Sequence, residues 1–326
     1  MADEVVLWEK PKAEIIFMFV GWRQWADAGS VSSGLVKYLA EQAGARLIGQ
    51  IRADGFYLFQ FPGTHDLVRP VIKFEEGFPK SLKTPITELF YSGDARQGIV
   101  YLLGDEPHLD IDRYAAAILQ LAKSLEIKRI VGFGGVYGEL PYDKERMVQG
   151  IYSLPEMKEE MNGLAISLSD YHGGASIESV ICKRASEQGI EFVSFYAFVP
   201  TYDLSNLTQQ LENPLTNSIR IENDFTAWLA VMRRVNYMLK LHLNLSDLEK
   251  KSRHLQKLMD SKVEELEKAA PQLGLKEYLR RLSEGYTETP FVPLDDIWEE
   301  ELKRLLDKFD DEDQSQEPGN TNPETS

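Results

Sequence analysis

The sequence predicts an α/β protein with three layers, a mostly parallel sheet and a helical C-terminal extension. Short, continuous apolar runs, such as residues 14–20 and 99–103, are typical of strands that are buried on both faces. Amphipathic helical patterns separate these runs through the first two thirds of the chain. Alternating strands and crossover helices are the signature of a parallel sheet that helices cover on both sides.

The elements can be placed one by one. After the first strand, Val31, Leu35, Val36 and Leu39 recur at helical spacing. Asp110 or Asp112 is expected to cap a helix that ends near residue 125. A further helix is predicted over residues 176–188, because Gly189 is a good helix-ending residue. The remaining predicted strands are residues 46–51, 67–74, 129–133, 164–168 and 192–199.

The pattern changes after about Asn223, which divides the chain into an α/β domain (1–224), a helical extension (225–309) and an acidic tail (310–326). The extension opens with a strong helix at residues 225–239. A second helical segment carries an apolar seam that Ser252 and Lys262 interrupt. This segment is therefore expected to form a short packed hairpin or a partner helix, rather than a long coiled coil. Shorter helices are predicted at 275–282 and 295–309. The tail has six acids and no base, and we expect it to be disordered.

Composition excludes several classes of function. The chain has 36 basic and 52 acidic residues, a net charge of −16, which disfavours nucleic-acid and membrane-surface partners. The single cysteine, Cys182, cannot form an internal disulfide, and its apolar helical position indicates a core residue. No signal-peptide core and no run of about 20 apolar residues is present, so a cytoplasmic location is expected.

Ligands of open parallel sheets bind at the carboxyl ends of the strands, so the loops there are the first place to seek a site. In the loop at 21–29, Asp27 would orient a ligand between the rings of Trp22 and Trp25. In the more common arrangement, Asp27 caps the next helix and the rings pack against neighbouring loops.

Two other loops carry weaker signals. The glycines at 132–135 favour a tight turn at the sheet edge, since they lack the spacing of a dinucleotide or phosphate-binding loop. His172 would be a general base that Asp170 orients, although residues two apart in an extended segment rarely reach each other. The other histidines are dispersed and no zinc-binding pattern is present, so we predict no metal.

Several segments together resemble the proteasome assembly chaperone family, in its second-subunit branch. The opening Gly21-Trp-x-x-Trp-Ala-Asp-Ala-Gly29 is similar to the family's Gly-Trp-x-Asp-Ala-Gly, with residues 23–26 as a longer link. Further similar segments, in the family's order, are Ile130–Gly135, Asp170–Ser176, Ala185–Ile190, Phe195–Tyr202 and Asn213-Pro214. Residues 277–286 resemble a helix of the long bacterial members.

The resemblance implies a fold similar to nucleoside phosphorylases, a helical extension and self-association. Eukaryotic relatives help to assemble the proteasome α-ring, and archaeal relatives bind proteasomes through a C-terminal hydrophobic-Tyr-X ending. This chain ends in Asn322-Pro-Glu-Thr-Ser326, so direct docking into proteasome pockets is not expected. Some members are labelled ATP-grasp-like ligases, but the phosphate-cradling hairpin and the magnesium carboxylates of such enzymes are not evident here.

We therefore predict a non-catalytic, oligomeric, chaperone-like interaction protein without a cofactor, whose client is unknown. The helical faces around Trp228, Leu245, Leu255 and Leu266 either bind a partner or fold back on the sheet. The alternative is an enzyme or small-ligand binder, ligase-like or phosphorylase-like, that uses the strand-end loops. Its candidate pocket residues are Trp22, Trp25, Asp27, Gly134, Gly135, Asp170, His172, Gly174 and Tyr202, with the glycines giving backbone donors to an anion.

Overall fold

Apolar strands and amphipathic helices alternate in the computed structural model, which describes residues 4–60, 69–203, 218–271, 274–289 and 291. The described strands are β1 (Val5–Leu7), β2 (Ile15–Arg23), β3 (Arg46–Ile51), β4 (Val71–Glu75), β5 (Phe78–Lys83), β6 (Thr87–Gly93), β7 (Gln97–Asp105), β8 (Ile127–Gly138), β9 (Val148–Tyr152), β10 (Ser167–Leu168), β11 (Phe192–Asp203) and β12 (Ser218–Arg220). The described α-helices are α1 (Ser33–Gln42), α2 (Ile111–Ser124), α3 (Lys158–Asn162), α4 (Ile177–Glu187), α5 (Phe225–Leu239), α6 (Ser246–Ala269) and α7 (Leu275–Gly285).

The centre of the main sheet is parallel, in the order β7, β2, β8, β11. Antiparallel strands flank it: β6, β3 and β1 follow β7 on one side, and β9 pairs with β11 on the other. β2 carries seven consecutive buried residues, as expected for a strand in the middle of a covered sheet. The predicted α/β class with a large, mostly parallel central sheet is confirmed.

The two faces of β2 explain the three layers. Side chains alternate along a strand, and Met18 and Val20 pack in one core with residues of α2 and α4. On the other face, Phe19 stacks edge-on with Phe133 at 5.4 Å between ring centroids. Gly21 lies directly against α1 on that same face, where a Cβ would collide with the backbone of Ser32.

The helices of the extension fold back on the sheet. α5 packs against β11 and has nine buried residues, among them Trp228, whose Nε1 donates to the carbonyl of Gly29 at 3.0 Å. α6 packs along α5, so the two helices form a helical hairpin. The ring of Tyr278 in α7 contacts the ring of Tyr202 edge-on. The described residues up to Thr289 group as one compact unit. Whether a boundary at residue 224 separates two domains stays a prediction, and the predicted helix at 295–309 and the tail lie outside the described residues.

The strand predicted at 164–168 is reduced to the two residues of β10. Ala165 has a φ of 49°, and the carbonyls of Leu164 and Ala165 accept hydrogen bonds from the buried guanidinium of Arg234 at 3.0 and 3.1 Å. These carbonyls are therefore turned away from a β-ladder. β9, which the sequence analysis missed, supplies the neighbour of β11 instead.

Two further expectations are corrected. Residues 132–135 form no turn, because β8 continues through them to Gly138. Asp110 precedes α2, but its carboxylate makes no capping bond and instead accepts from Nε of Arg113 at 2.6 Å, while Asp112 pairs with Arg184. The backbone of Asp110 is left-handed (φ 52°), which differs from the usual extended geometry of a capping residue.

β4 and β5 form a separate antiparallel hairpin, residues 71–83, which we call the arm. The predicted strand at 67–74 corresponds to β4 in its described part, and it lies outside the main sheet. Every residue of β4 and β5 is exposed. No helix among the described residues is long and apolar enough to cross a membrane.

Candidate functional site

The carboxyl ends of the parallel strands border a cleft of about 670 Å³. Loop residues after β2, the ends of β8 and β11, strand β9 and the loop before α4 contribute to it. Its lining residues are Gln24, Trp25, Ala26, Asp27, Ala28, Gly135, Val136, Tyr137, Gln149, Ile151, Ser169, Tyr171, Gly173, Gly174, Ala175, Ser176, Ser179, Tyr196 and Phe198. A cleft of this size is in the range of small-molecule sites and lies where ligands of parallel sheets bind.

The nine candidate residues of the ligand-binding hypothesis are divided by the structure. Four of them line the cleft: Trp25, Asp27, Gly135 and Gly174. Asp170 and His172 are exposed on the loop that carries Tyr171 and Gly174, but neither lines the cleft. Trp22, Gly134 and Tyr202 also do not line it. The use of any of these residues for ligand binding stays a prediction.

Asp27 caps α1, as the more common interpretation of this residue predicts. Its Oδ1 accepts from the backbone N–H groups of Ser32 and Ser33, both at 2.9 Å, and its Oδ2 accepts from the Ser33 hydroxyl at 2.6 Å. Burial raises the pKa of this carboxyl, and the hydrogen bonds from Ser33 and Ser32 oppose that rise. The carboxylate that borders the cleft is therefore already engaged in starting a helix.

The glycines of β8 serve close packing between backbones. The Gly135 N–H donates to the carbonyl of Ala26 at 2.6 Å, and Asp27 pairs with Gly135 in a parallel bridge. A Cβ on Gly135 would collide with the carbonyl oxygen of Ala28, and one on Gly134 would enter the ring of Tyr196. The Gly135 amide thus positions the loop after β2, and the use of these glycines as anion donors stays a prediction.

Trp22 and Tyr202 are core residues. Trp22 is 1% exposed and donates from Nε1 to the Tyr114 hydroxyl at 3.0 Å, on the α2 face of the sheet. Trp25 alone of the two tryptophans borders the cleft, with 58% of its surface exposed. Tyr202 is 1% exposed, and its hydroxyl donates to the carbonyl of Leu140.

Glu178 is a buried acid near the cleft, and the sequence patterns above did not identify it. It is 3% exposed, and its Oε2 accepts from the Ser194 hydroxyl at 2.6 Å. Burial raises its pKa to about 8, which the hydrogen bonds from Ser194, Tyr196 and Ser32 oppose. A sequence signal existed, because Glu178 stands four residues before the apolar Cys182 and therefore shares its face of α4.

Glu106 is the third carboxyl near the cleft, and it too holds a helix start. Its Oε1 accepts from the backbone N–H of Ile177, the first residue of α4, at 2.8 Å. Burial raises its pKa. Ser176 adds the side-chain cap of the same helix by accepting from the Ser179 N–H at 3.3 Å. Among the described residues, no group of three or more His, Cys, Asp or Glu is placed to hold a metal ion.

Comparisons with known proteins point to one family and one fold. The sequence model of the PAC2 family matches residues 22–263. A proteasome-assembly chaperone homologue from Mycobacterium tuberculosis is 20% identical over 76% of this chain and 94% of its own, with a TM-score of 0.64. A PAC2 family protein from Streptomyces avermitilis is 22% identical over 76% and 95%, with a TM-score of 0.62. An archaeal proteasome activator from Pyrococcus furiosus is 13% identical over 79% and 97%, with a TM-score of 0.53. The search of curated proteins gave no match.

Proposed function

We propose, from the premise that the chain belongs to the PAC2 family, that it is a non-catalytic, oligomeric interaction protein with a chaperone-like role in assembling another complex. Two solved structures of the same fold are described as a proteasome-assembly chaperone homologue and a proteasome activator. These descriptions concern those proteins, and they supply the class of function that we propose for this one. We also propose that it self-associates and acts in the cytoplasm, with a client still to be identified.

The observation that carries the proposal is the arm. Five large apolar side chains on it are between 48% and 66% exposed: Val71, Ile72, Phe74, Phe78 and Leu82. Ile72, Phe74 and Leu82 share one face of the hairpin, and an exposed apolar patch of this kind marks an interaction site in soluble proteins. An interaction protein needs such a surface, whereas an enzyme of the strand-end cleft would not.

The acids around the cleft support the same conclusion. Asp27 and Glu106 accept backbone hydrogen bonds at the starts of α1 and α4. Glu178 is enclosed between α4 and β11. A general acid or base must reach the proton that it transfers, and these three carboxyls are engaged in holding the fold. The ligand-binding alternative is therefore not favoured.

The test combines capture with a deletion strain. The tagged full-length chain is captured from an extract of its own cells, and the stoichiometry of co-purifying proteins is measured by mass spectrometry. We expect a partner in near-stoichiometric amount. In cells that lack the chain, native size analysis of this partner should show incomplete complexes, which the wild-type chain restores.

A variant distinguishes the enzymatic alternative. His172→Ala removes the exposed imidazole that the alternative would use as a general base, while the buried core is untouched. The proposal expects this variant to restore the partner's assembly as well as the wild type does. Recovery of the chain without any partner, or failure of His172→Ala to restore assembly, would count against it.

A further inference from the structure

The arm has no cover within the described chain. β4 and β5 pair with each other and with no other described strand, and all of their residues are exposed. Ile72 lies opposite Leu82 in the register, so two apolar side chains stand side by side on one face. A two-stranded hairpin is marginally stable in water without a surface to pack on. We therefore expect that another surface covers the arm.

The arm stands on the same edge of the sheet as the cleft. β3 is antiparallel to β6 and β6 is antiparallel to β7, so β3 runs in the same direction as β7. The arm leaves after the carboxyl end of β3 and returns at Thr87, which pairs with Gly104 near the carboxyl end of β7. At about 3.3 Å per residue, strands of five and six residues extend the arm by roughly 17–20 Å.

The cleft on that edge complements the arm in both apolar surface and charge. Its rim exposes Trp25 and Tyr171, at 58% and 72%, together with Val136 and Tyr137. No lysine, arginine or histidine is among its described lining residues, and Asp27 is one of them. The arm, by contrast, has three lysines and two glutamates, a net charge of +1 in a chain of net charge −16.

We infer that the occupant of the cleft is the arm of a second copy of this chain. The inference rests on the proposed function and names its self-association surface. Because the arm and the cleft share one edge, two copies related by a two-fold axis place each arm in the other's cleft, and both contacts close at once. Phe74 and Phe78 project from opposite faces near the arm's tip, because Phe78 pairs with Glu75, and a tip that enters the cleft between Trp25 and Tyr171 places one ring on each side of the hairpin.

The experiment uses four full-length variants and sedimentation velocity. Phe74→Ser with Phe78→Ser weakens the arm, and Trp25→Ser with Tyr171→Ser weakens the cleft. Matched controls are Leu258→Ser, at 54% exposure against 55% for Phe74, and Trp8→Ser, at 57% against 58% for Trp25. Since all these side chains are exposed in a single copy, circular dichroism spectra of the variants should match that of the wild type and show that each variant is folded.

The wild type should be a dimer, and the arm and cleft variants should each raise its Kd at least roughly tenfold, while both controls leave it unchanged. A mixture of arm and cleft variants is decisive. It retains one intact contact, an unaltered arm in an unaltered cleft, so it should associate at concentrations where each variant alone is monomeric.

A monomeric wild type, an arm variant of wild-type mass, or a mixture that stays monomeric would each overturn the inference. A monomeric wild type would point to a client or a small ligand as the occupant. A monomeric wild type would also overturn the proposed self-association. The proposed chaperone-like role fails separately, because its capture experiment depends on a partner protein and not on the mass of the chain.

Discussion

Glu178 is the residue whose chemistry departs most from its sequence context. A glutamate in the first turn of a helix usually faces solvent, where its negative charge interacts favourably with the positive end of the helix dipole. Here it lies between α4 and the sheet at 3% exposure, and burial raises its pKa to about 8. The fold therefore keeps a largely neutral carboxylic acid at pH 7, hydrogen-bonded by Ser194 and Ser32.

Glu178→Gln should remove a pH dependence of stability. The folded pKa lies above the ordinary value, so the contribution of Glu178 is complete below about pH 4.5 and is lost as the pH rises through 8. Each pH unit in this window weakens the wild type by up to about 1.4 kcal/mol relative to the variant. Urea unfolding at two pH values about two units apart in this window should therefore show a relative change of about 2 kcal/mol.

The control for this measurement is Glu187→Gln at the other end of α4. Glu187 is exposed, and its hydrogen bond with Arg184 lowers its pKa, so it does not titrate in that window. Its substitution should leave the pH slope of the free energy of unfolding as in the wild type. Equal slopes for wild type and Glu178→Gln would contradict the assignment of a raised pKa.

Gly135→Ala tests the close contact between β8 and the loop after β2. The added Cβ would collide with the Ala28 carbonyl, so backbone must move, and overpacking of this kind costs about 1–3 kcal/mol. Gly174→Ala is the matched control, because it lies in the same cleft but would place its Cβ in open space. Thermal melts should show a lower Tm for Gly135→Ala only. A similar Tm for both variants would mean that the end of β8 accommodates the added methyl group without loss of stability.

At the scale of elements, Asp224 caps α5 and joins the start of this helix to the loop before β9. Its Oδ1 accepts from the N–H groups of Thr226 and Ala227, and its Oδ2 accepts from Nε of Arg146 at 2.8 Å. Both partners of the ion pair are fully buried. Asp224→Ala should cost about 3–5 kcal/mol, because it leaves the Arg146 guanidinium buried without its counter-charge.

Asp224→Asn separates the two roles of this side chain. It keeps an oxygen that caps α5 but removes the charge that faces Arg146, so it should recover only the capping part, about 1 kcal/mol. Both free energies come from urea unfolding. If the asparagine variant were as stable as the wild type, the cap alone would account for the effect, and the ion pair would contribute nothing.

How far sequence predicts structure depends here on how local each signal is. The parallel centre follows from long apolar runs, and α4 begins and ends where Ser176 and Gly189 predict. The family resemblance, read from ordered motifs, is confirmed by the family match. By contrast, β10 is short because Arg234, about 70 residues further along the chain, holds the carbonyls before it. A long-range contact of this kind leaves no local pattern.

In the candidate site too, local signals predict the structure and long-range contacts do not. Asp27 was correctly interpreted as a cap, because the capping signal lies within six residues. Trp22 lies in β2, whereas Trp25 follows the strand in a loop where Gln24 and Ala26 have positive φ values of 89° and 52°. No local sequence pattern predicts that change of direction between the two rings. Glu178 was missed because an acid in a first helical turn is so common on solvated faces.

At the scale of the whole molecule, the question is whether the sheet is complete without the helices that follow it. A chain that ends at residue 224 loses α5, with nine buried residues, together with the hydrogen bond from Trp228 to the loop after β2. At about 1.5–3 kcal/mol for each large apolar side chain, this loss is comparable to the whole stability of a domain, about 5–15 kcal/mol. We expect the chain of residues 1–224 to show no cooperative thermal unfolding by circular dichroism, whereas residues 1–289 should melt like the full chain. A cooperative transition of residues 1–224 within a few degrees of the full chain would establish the domain boundary there, and α5 would then be an appendage of an independently stable sheet.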